Sequence, residues 1–274
     1  MEVLVCVKRV PMVGGRIAVT ADGQDVDTRM SGFTVSPHEE CAVEEAVRLT
    51  EHYGGSVTIL TLGPPAAAEQ LRAMLALGAT RAVLLETDGR EWGPMATADA
   101  IVAAVREAPA GAVPRDGEPG RPGAGDCPYD LLLFGNESPD TGGYQVGVRV
   151  AHALGLPCVT AVKGIEIAGG GQRPTAARAR REHRGAEEVF DIPLPAVLSV
   201  KEGINLPRYP SLPGRLRAKR ADIIASVPGW HADGLVKAGL RVPAVQRRGA
   251  EVLGTGADAV PALVAVLTDL GVLT

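Results

Sequence analysis

The chain has 274 residues, of which 46% are hydrophobic and 22% charged, with a formal charge of −4, so it carries an ordinary globular composition. That size fits one large domain, or one domain with a long tail. The basic excess of a nucleic-acid binder is missing, and no apolar run reaches the roughly 18 residues that a membrane span needs.

The first part alternates strand and helix. EVLVCVKRV is a short apolar run rich in β-branched residues, which reads as a buried strand. The chain enters this strand at once, without a signal peptide's basic start and cleavage site, and a cytoplasmic protein is expected. HEECAVEEAVRLTEHYGG follows, with Cys41, Val43, Ala46, Val47 and Leu49 on one helical face. Its start is marked by Ser36 as N-cap, Pro37 at the first position and Glu39 three residues after the cap. Gly54 and Gly55 end it.

SVTILTLG, RAVLLET and YDLLLFG read as further apolar strands, and AAAEQLRAMLALG, ATADAIVAAVREA and DTGGYQVGVRVAHALG as the helices after them. Strands that are apolar throughout, separated by amphipathic helices, predict a doubly wound α/β fold with a mostly parallel sheet. Residues 109–127 are almost all Gly, Pro, Ala and charge, and are expected to form a surface insertion. Beyond Gly155 four strand-like runs, CVTAVKGIEIAG, RPTAARARREHR, AEEVFDIPL and PAVLSVKEG, suggest an antiparallel addition to that sheet. INLPRYPSLPG then carries three prolines and several apolar side chains, and is expected to be a stiff loop rather than a helix or strand. ADAVPALVAVLTDLGVL predicts a final amphipathic helix.

Cys6, Cys41, Cys127 and Cys158 have no CxxC spacing, and the three that fall in apolar runs read as buried free thiols. Aromatic residues make up only 3% of the chain, which leaves little surface for stacking a flavin or a nucleobase. Glu44-Glu45 and Glu187-Glu188 are expected on solvated faces.

In an open parallel sheet the binding crevice lies at the carboxyl ends of the strands. After the fourth strand the chain reads GNESPDTGGYQVG. Asp140 is a plausible helix N-cap there, with Thr141, Gly142 and Gly143 offering backbone N–H groups to a phosphate. A glycine-rich turn that merely lets strand and helix pack closely accounts for the same residues. The Ser36–Glu39 start lies at the same edge and is a possible adenine wall, with His38 expected to be exposed. No Walker lysine motif, GxSxG or HExxH occurs. The residues therefore outline a nucleotide site without catalytic apparatus.

The segments VLVCVKRVP, SPHEECAVEEAVRL, LGPPAAAEQLRAMLALGATRAVLLE, GNESPDTGGYQVGVRVAHALGLP and LPAVLSVKEGINLPRYPSLPGRLRAK together resemble the small (β) subunit of electron-transfer flavoproteins. The likeness runs in order from Val3 to about Lys219 and is most specific in NLPRYPSLPGRLRAK. It implies a Rossmann-like domain over 1–219 and a C-terminal arm over 220–274 that wraps a companion α subunit. That companion would hold most of the FAD site, while this chain would hold a structural AMP or, as in electron-bifurcating members, a second FAD. By the same resemblance the nucleotide is lined by Cys6, Ser36, Pro37, His38, Glu39, Leu62 and the loop Gly135, Asn136, Glu137, Ser138, Pro139, Asp140, Thr141, Gly142, Gly143, Tyr144, Gln145 and Val146. A partner recognition loop is implied at about 202–214, with Arg208, Tyr209 and Leu212 as contacts and Leu212 as the inserted anchor. Glu182 is implied to pair with an arginine of the FAD domain. Dehydrogenases as donors and a membrane quinone reductase as acceptor complete the implied set.

Two departures stand out. The family commonly has Asn where this chain has Ser36, and its phosphate loop often carries more acidic residues than PDTGGYQVG. A stand-alone adenine-nucleotide sensor would need a GxxG-type loop before its last helix, and an ATP pyrophosphatase an SGGxDS loop after the first strand. The chain has neither.

Overall fold

A computed structural model describes residues 1–12, 17–107, 127–168, 174–234, 236–243 and 250–273. The insertion expected at 109–127 lies outside the described residues apart from Cys127. In chain order the elements begin with β1 (Glu2–Cys6), the short pair β2 (Val10–Pro11) and β3 (Phe33–Thr34), and α1 (Pro37–Tyr53). Next come β4 (Ser56–Gly63), a 3₁₀ turn at Pro65–Ala67, α2 (Ala68–Leu77), β5 (Arg81–Glu86), α3 (Pro94–Glu107), β6 (Leu131–Gly135) and α4 (Val146–Leu154). The second half holds β7 (Cys158–Val162), β8 (Gly164–Ala168), β9 (Ala176–His183), β10 (Ala186–Pro193), β11 (Ala196–Val200), α5 (Leu212–Arg220), β12 (Ile224–Ser226) and α6 (Val260–Asp269).

Seven strands form the main sheet in the order β12-β5-β4-β1-β6-β11-β7, and every pairing in it is parallel. Alternate residues of β1 bury into opposite layers. Val3 and Val5 join the cluster of Val43, Val47 and Leu71 from α1 and α2, while Leu4 and Cys6 join that of Ile101, Val105 and Val150 from α3 and α4. Burial on both faces is why these strands are apolar throughout instead of alternating. Helices α1 and α2 thus cover one face and α3 and α4 the other, as the doubly wound reading requires.

The C-terminal strands differ from expectation. Strands β7 and β11 join the main sheet in parallel, and only β8, β9 and β10 form an antiparallel sheet, a separate one in the order β10-β9-β8. The run CVTAVKGIEIAG is two strands, broken at Lys163, and Ala161 within the first of them has a φ of 58°. The sign of the true arrangement lies in composition: AVLSV of β11 is buried at every position, as a central strand must be, whereas β10 is mostly exposed. Ile165, Ala177, Ala179 and Ile192 turn the small sheet's apolar face into the α1/α2 core.

The loop after β11 also ends sooner than expected. Leu212, Pro213 and Gly214 form the first turn of α5, capped by the Ser211 hydroxyl, which accepts from Gly214 N at 3.1 Å. Proline is tolerated there because first-turn N–H groups have no helical partner. Helix α5 packs against α2, and Arg72 of α2 donates to the carbonyls of Ala218 and Ala221 at 2.7 and 3.1 Å, closing its C-terminus. Strand β12 then extends the sheet beyond residue 219.

By compactness the chain forms two units, one of Met1–Arg16 with Asp27–Ala238 and one of Ile17–Val26 with Gly239–Thr274. Within the second, Leu240 N donates to Gly23 O at 2.7 Å and Val19 bridges Val26. Helix α6 of that unit buries none of its residues and exposes Val260, Leu263, Val264 and Val266. Three of the four cysteines are buried, Cys158 is half-buried, and all are free thiols.

Leu133 sits at the centre of β6 with no solvent exposure. Leu133→Ala is expected to cost about 3 kcal/mol, seen in urea unfolding as a lower midpoint with an unchanged slope.

Candidate functional site at the carboxyl edge of the sheet

The order in which strands are added reverses between the parallel neighbours β1 and β6. Strand β1 leads through α1 to β4 on one side, while β6 leads through α4 toward β7 on the other, so the two connections part and leave a crevice. The turn after β1 and the residues 136–145 after β6 border it.

Ser36 and Glu39 build one wall. The Ser36 hydroxyl accepts from Glu39 N at 3.2 Å, and the Glu39 carboxylate accepts from Ser36 N at 2.9 Å, the expected capping box. The other Glu39 oxygen accepts from Lys8 N at 2.9 Å, tying helix α1 to the end of β1. Both residues are buried, and burial pushes the Glu39 carboxyl up to about 8 against the hydrogen bonds from Ser36 and Lys8 that favour its charged form. Gly135 makes this approach possible, because a β-carbon there would lie 2.6 Å from Glu39 Cγ and 3.3 Å from His38 Cβ. Pro37 at the first helical position is exposed. His38 is half-buried rather than exposed, since its Nδ1 accepts from Glu202 N at 2.8 Å beyond β11.

Cys6 pairs in register with Leu60 on one side and Phe134 on the other. Its thiol is pushed well up by burial and by the neighbouring Glu39, so it stays a neutral wall rather than a nucleophile. Leu62 is half-buried and packs on the same layer from the end of β4.

The loop 136–145 forms the opposite side. Asn136 N donates to Val200 O at 2.9 Å and its side-chain oxygen accepts from Ala161 N at 2.8 Å, which joins the ends of β6, β11 and β7. Asp140 is expected from the sequence to cap α4, but the N-cap is Gln145. Asp140 instead accepts from Thr141 N at 2.9 Å and pairs with Lys8 Nζ at 2.6 Å. Burial opposes that charge, but Lys8, Ser138 and the Thr141 amide outweigh it and hold the carboxyl below its usual range. Gly142 N is likewise taken, donating to Ser138 O at 2.8 Å, and the Ser138 and Thr141 hydroxyls lie 3.0 Å apart. Pro139 and Gly143 are exposed. Tyr144 has a positive φ of 53°, and its hydrogen bond to Glu137 raises its phenol. Gln145 is the true N-cap residue, but its side-chain oxygen accepts from Arg149 at 3.0 Å and caps nothing. The N–H groups of the first turn of α4, beginning at Val146, thus have no side-chain cap, the condition under which a helix start accepts an anion.

The remaining expected residues lie apart from this crevice. Glu182 is exposed on β9 with Lys163 Nζ at 3.4 Å. Tyr209, Leu212 and Leu206 are 94%, 71% and 89% exposed. Arg208 points onto α1, with Nε 2.8 Å from Glu44 and Nη1 2.6 Å from Glu51. Glu44 is consequently buried, not on a solvated face, and burial raises the Glu45 carboxyl beside Asn205. Glu188 pairs with Arg181, while Glu187 is exposed as expected. Sequence reasoning passed over Lys8, which touches both walls; its place two residues past the end of β1 was the available signal.

A doubly wound α/β domain with a walled crevice at its topological switch point is the class that these features define. Residues 26–227 match the electron transfer flavoprotein domain. The chain is 34% identical over 190 residues to the electron transfer flavoprotein subunit beta of Bacillus subtilis, covering 69% of this chain and 65% of that protein. It is 33% identical over 224 residues to the subunit beta of Syntrophomonas wolfei, covering 81% of this chain and 78% of that one. It is 32% identical over 256 residues to the protein FixA of Sinorhizobium fredii, covering 90% and 82%. The chain belongs to the electron transfer flavoprotein family, on its beta-subunit branch.

Glu39 also makes a pH prediction. Between the ordinary carboxyl value of 4.5 and about 8 the folded chain holds a proton that the unfolded chain has lost, so stability falls as pH rises through that window. Glu39→Gln is expected to flatten this slope in urea titrations run from pH 4.5 to pH 8.

Proposed function

We propose that this chain is the β subunit of a heterodimeric electron-transfer flavoprotein, which carries electrons from dehydrogenases to a quinone reductase or a comparable acceptor. In this reading the companion α subunit holds most of the FAD, and this chain holds a structural AMP in the crevice between β1 and β6. The observation that carries the assignment is the pairing of a fully capped α1 with an uncapped α4 at that crevice. An adenine nucleotide needs an apolar wall and a phosphate site, and the half-buried Leu62 and buried Cys6 offer the first. The start of α4 and the hydroxyls of Ser138 and Thr141 offer the second.

The chain's own part is to bind and orient. FAD supplies the redox chemistry, and the protein positions it and excludes competing reactions. The exposed Tyr209 and Leu212 form the docking surface, with Leu212 as a hot-spot anchor on a stiff, proline-rich frame that has little entropy to lose. Basic Arg215, Lys219 and Arg220 on α5 favour acidic partners. The C-terminal residues 220–274, with the unburied apolar face of α6, wrap the companion subunit, and Glu182 pairs with an arginine of its FAD domain. A cytoplasmic location accords with the free thiols.

Extraction and chromatography of the purified heterodimer should yield one FAD and one AMP, and the isolated chain should be colourless. Two FAD per heterodimer would instead assign the crevice to the second flavin of an electron-bifurcating member. Leu212→Ala should lower the rate of dehydrogenase-driven flavin reduction at least tenfold, by analogy with the loss of a hot-spot anchor, with FAD and AMP content unchanged. Wild-type reduction rates in that variant would remove Leu212 from the docking surface.

A further inference from the structure

Residues 202–211 between β11 and α5 place Ile204 against the core and are held at four points along α1. Glu202 N donates to His38 Nδ1 at 2.8 Å in the first turn. Asn205 follows, its side-chain nitrogen donating to Cys41 O at 3.0 Å and Glu45 Oε2 at 2.9 Å. Arg208 is the third and fourth. Its Nε and Nη2 take Glu44 at 2.8 and 3.1 Å, and its Nη1 and Nη2 take Glu51 at 2.6 and 2.9 Å. Its backbone N–H also donates to Glu44, at 3.2 Å.

A guanidinium has five N–H donors in a fixed fork. Four of the five are committed to the two carboxylates, one of which is buried. The nearby side chains behave in the opposite way, with Leu206 89% and Tyr209 94% exposed. Arg208 therefore faces into its own subunit while its neighbours face out. Such a doubly bidentate grip fixes position and direction together, and a lysine cannot copy it.

We propose that Arg208 is a positioning residue for partner docking: clamped between Glu44 and Glu51, it holds residues 204–211 against α1 so that Tyr209 and Leu212 are presented in one geometry, and it does not itself contact the partner. The inference rests on the docking reading above for its purpose, but not for the clamp. Preorganisation of this kind lowers the ordering cost of association rather than adding contacts. It should act on affinity and not on electron transfer once docked.

A double-mutant cycle on the intact heterodimer tests it, using Arg208→Lys, Glu51→Gln and the pair, with two readouts. The first is amide hydrogen exchange of residues 204–211. The second is flavin reduction by a flavin-dependent dehydrogenase that reduces the wild-type heterodimer. Each single variant should speed exchange in the loop and raise the KM for the heterodimer, by about tenfold for Arg208→Lys and a few-fold for Glu51→Gln, with kcat unchanged. The pair should be no worse than Arg208→Lys alone, since both remove one clamp. The proposal is overturned if Glu51→Gln leaves loop exchange and KM at wild-type values while Arg208→Lys raises KM, because Arg208 would then touch the partner directly. It is equally overturned if the two effects add, or if loop exchange is unchanged in every variant. Leu212→Ala serves as the separate control. It should raise KM with normal loop exchange, and a normal KM there would sink the docking reading while leaving the exchange readout to decide the clamp.

Discussion

The site depends on one carboxylate. Glu39 accepts from the amide of its own helix cap, Ser36, and from the amide of Lys8 just past β1. Those two hydrogen bonds fix the start of α1 against the end of the central strand, and they do so inside the protein, where an unpaired amide is costly. Gly135 admits the helix because a side chain there would occupy the space of Glu39 Cγ. Lys8 then carries the same constraint outward, since its ammonium holds Asp140 and with it the loop after β6. One short stretch of backbone thereby sets the distance between both walls of the crevice.

The two helices that border the crevice have opposite ends. Helix α1 spends its first donors on its own capping box, whereas α4 begins at a residue whose side chain is turned away to Arg149. A helix start without an internal cap keeps its partial positive charge and its free N–H groups for something outside the chain. That division leaves one helix with its start closed by its own side chains and the other with no side-chain cap at its start. In the loop between β6 and α4, Gly142 N donates to Ser138 O, and the Ser138 and Thr141 hydroxyls lie 3.0 Å apart beside the start of α4.

Helix α1 has a second use. Its polar side was expected to be solvated, yet Glu44 is buried beneath Arg208, and Glu45 and Glu51 are also taken up by the segment that follows β11. Buried charges of this sort are tolerated when they are paired and fully hydrogen-bonded, and they specify geometry better than they add stability. The segment they hold carries the most exposed apolar side chains near α5.

Local signals in the sequence determined the capping box, the alternation of helix and strand, the doubly wound class and the carboxyl-edge location of the crevice. Each depends on residues a few positions apart: Ser36 with Glu39, Gly54 after Tyr53, or the uninterrupted apolar run of β1. Only the tertiary structure decided the partners of residues distant in sequence. It placed β11 between β6 and β7 in parallel, turned Asp140 from a helix cap into a partner of Lys8, and brought Arg208 onto Glu44 and Glu51. Alternation and capping are properties of neighbouring residues, so they survive in a linear reading. Strand order and long-range ion pairs are choices among many competing partners, and only the packed chain makes them.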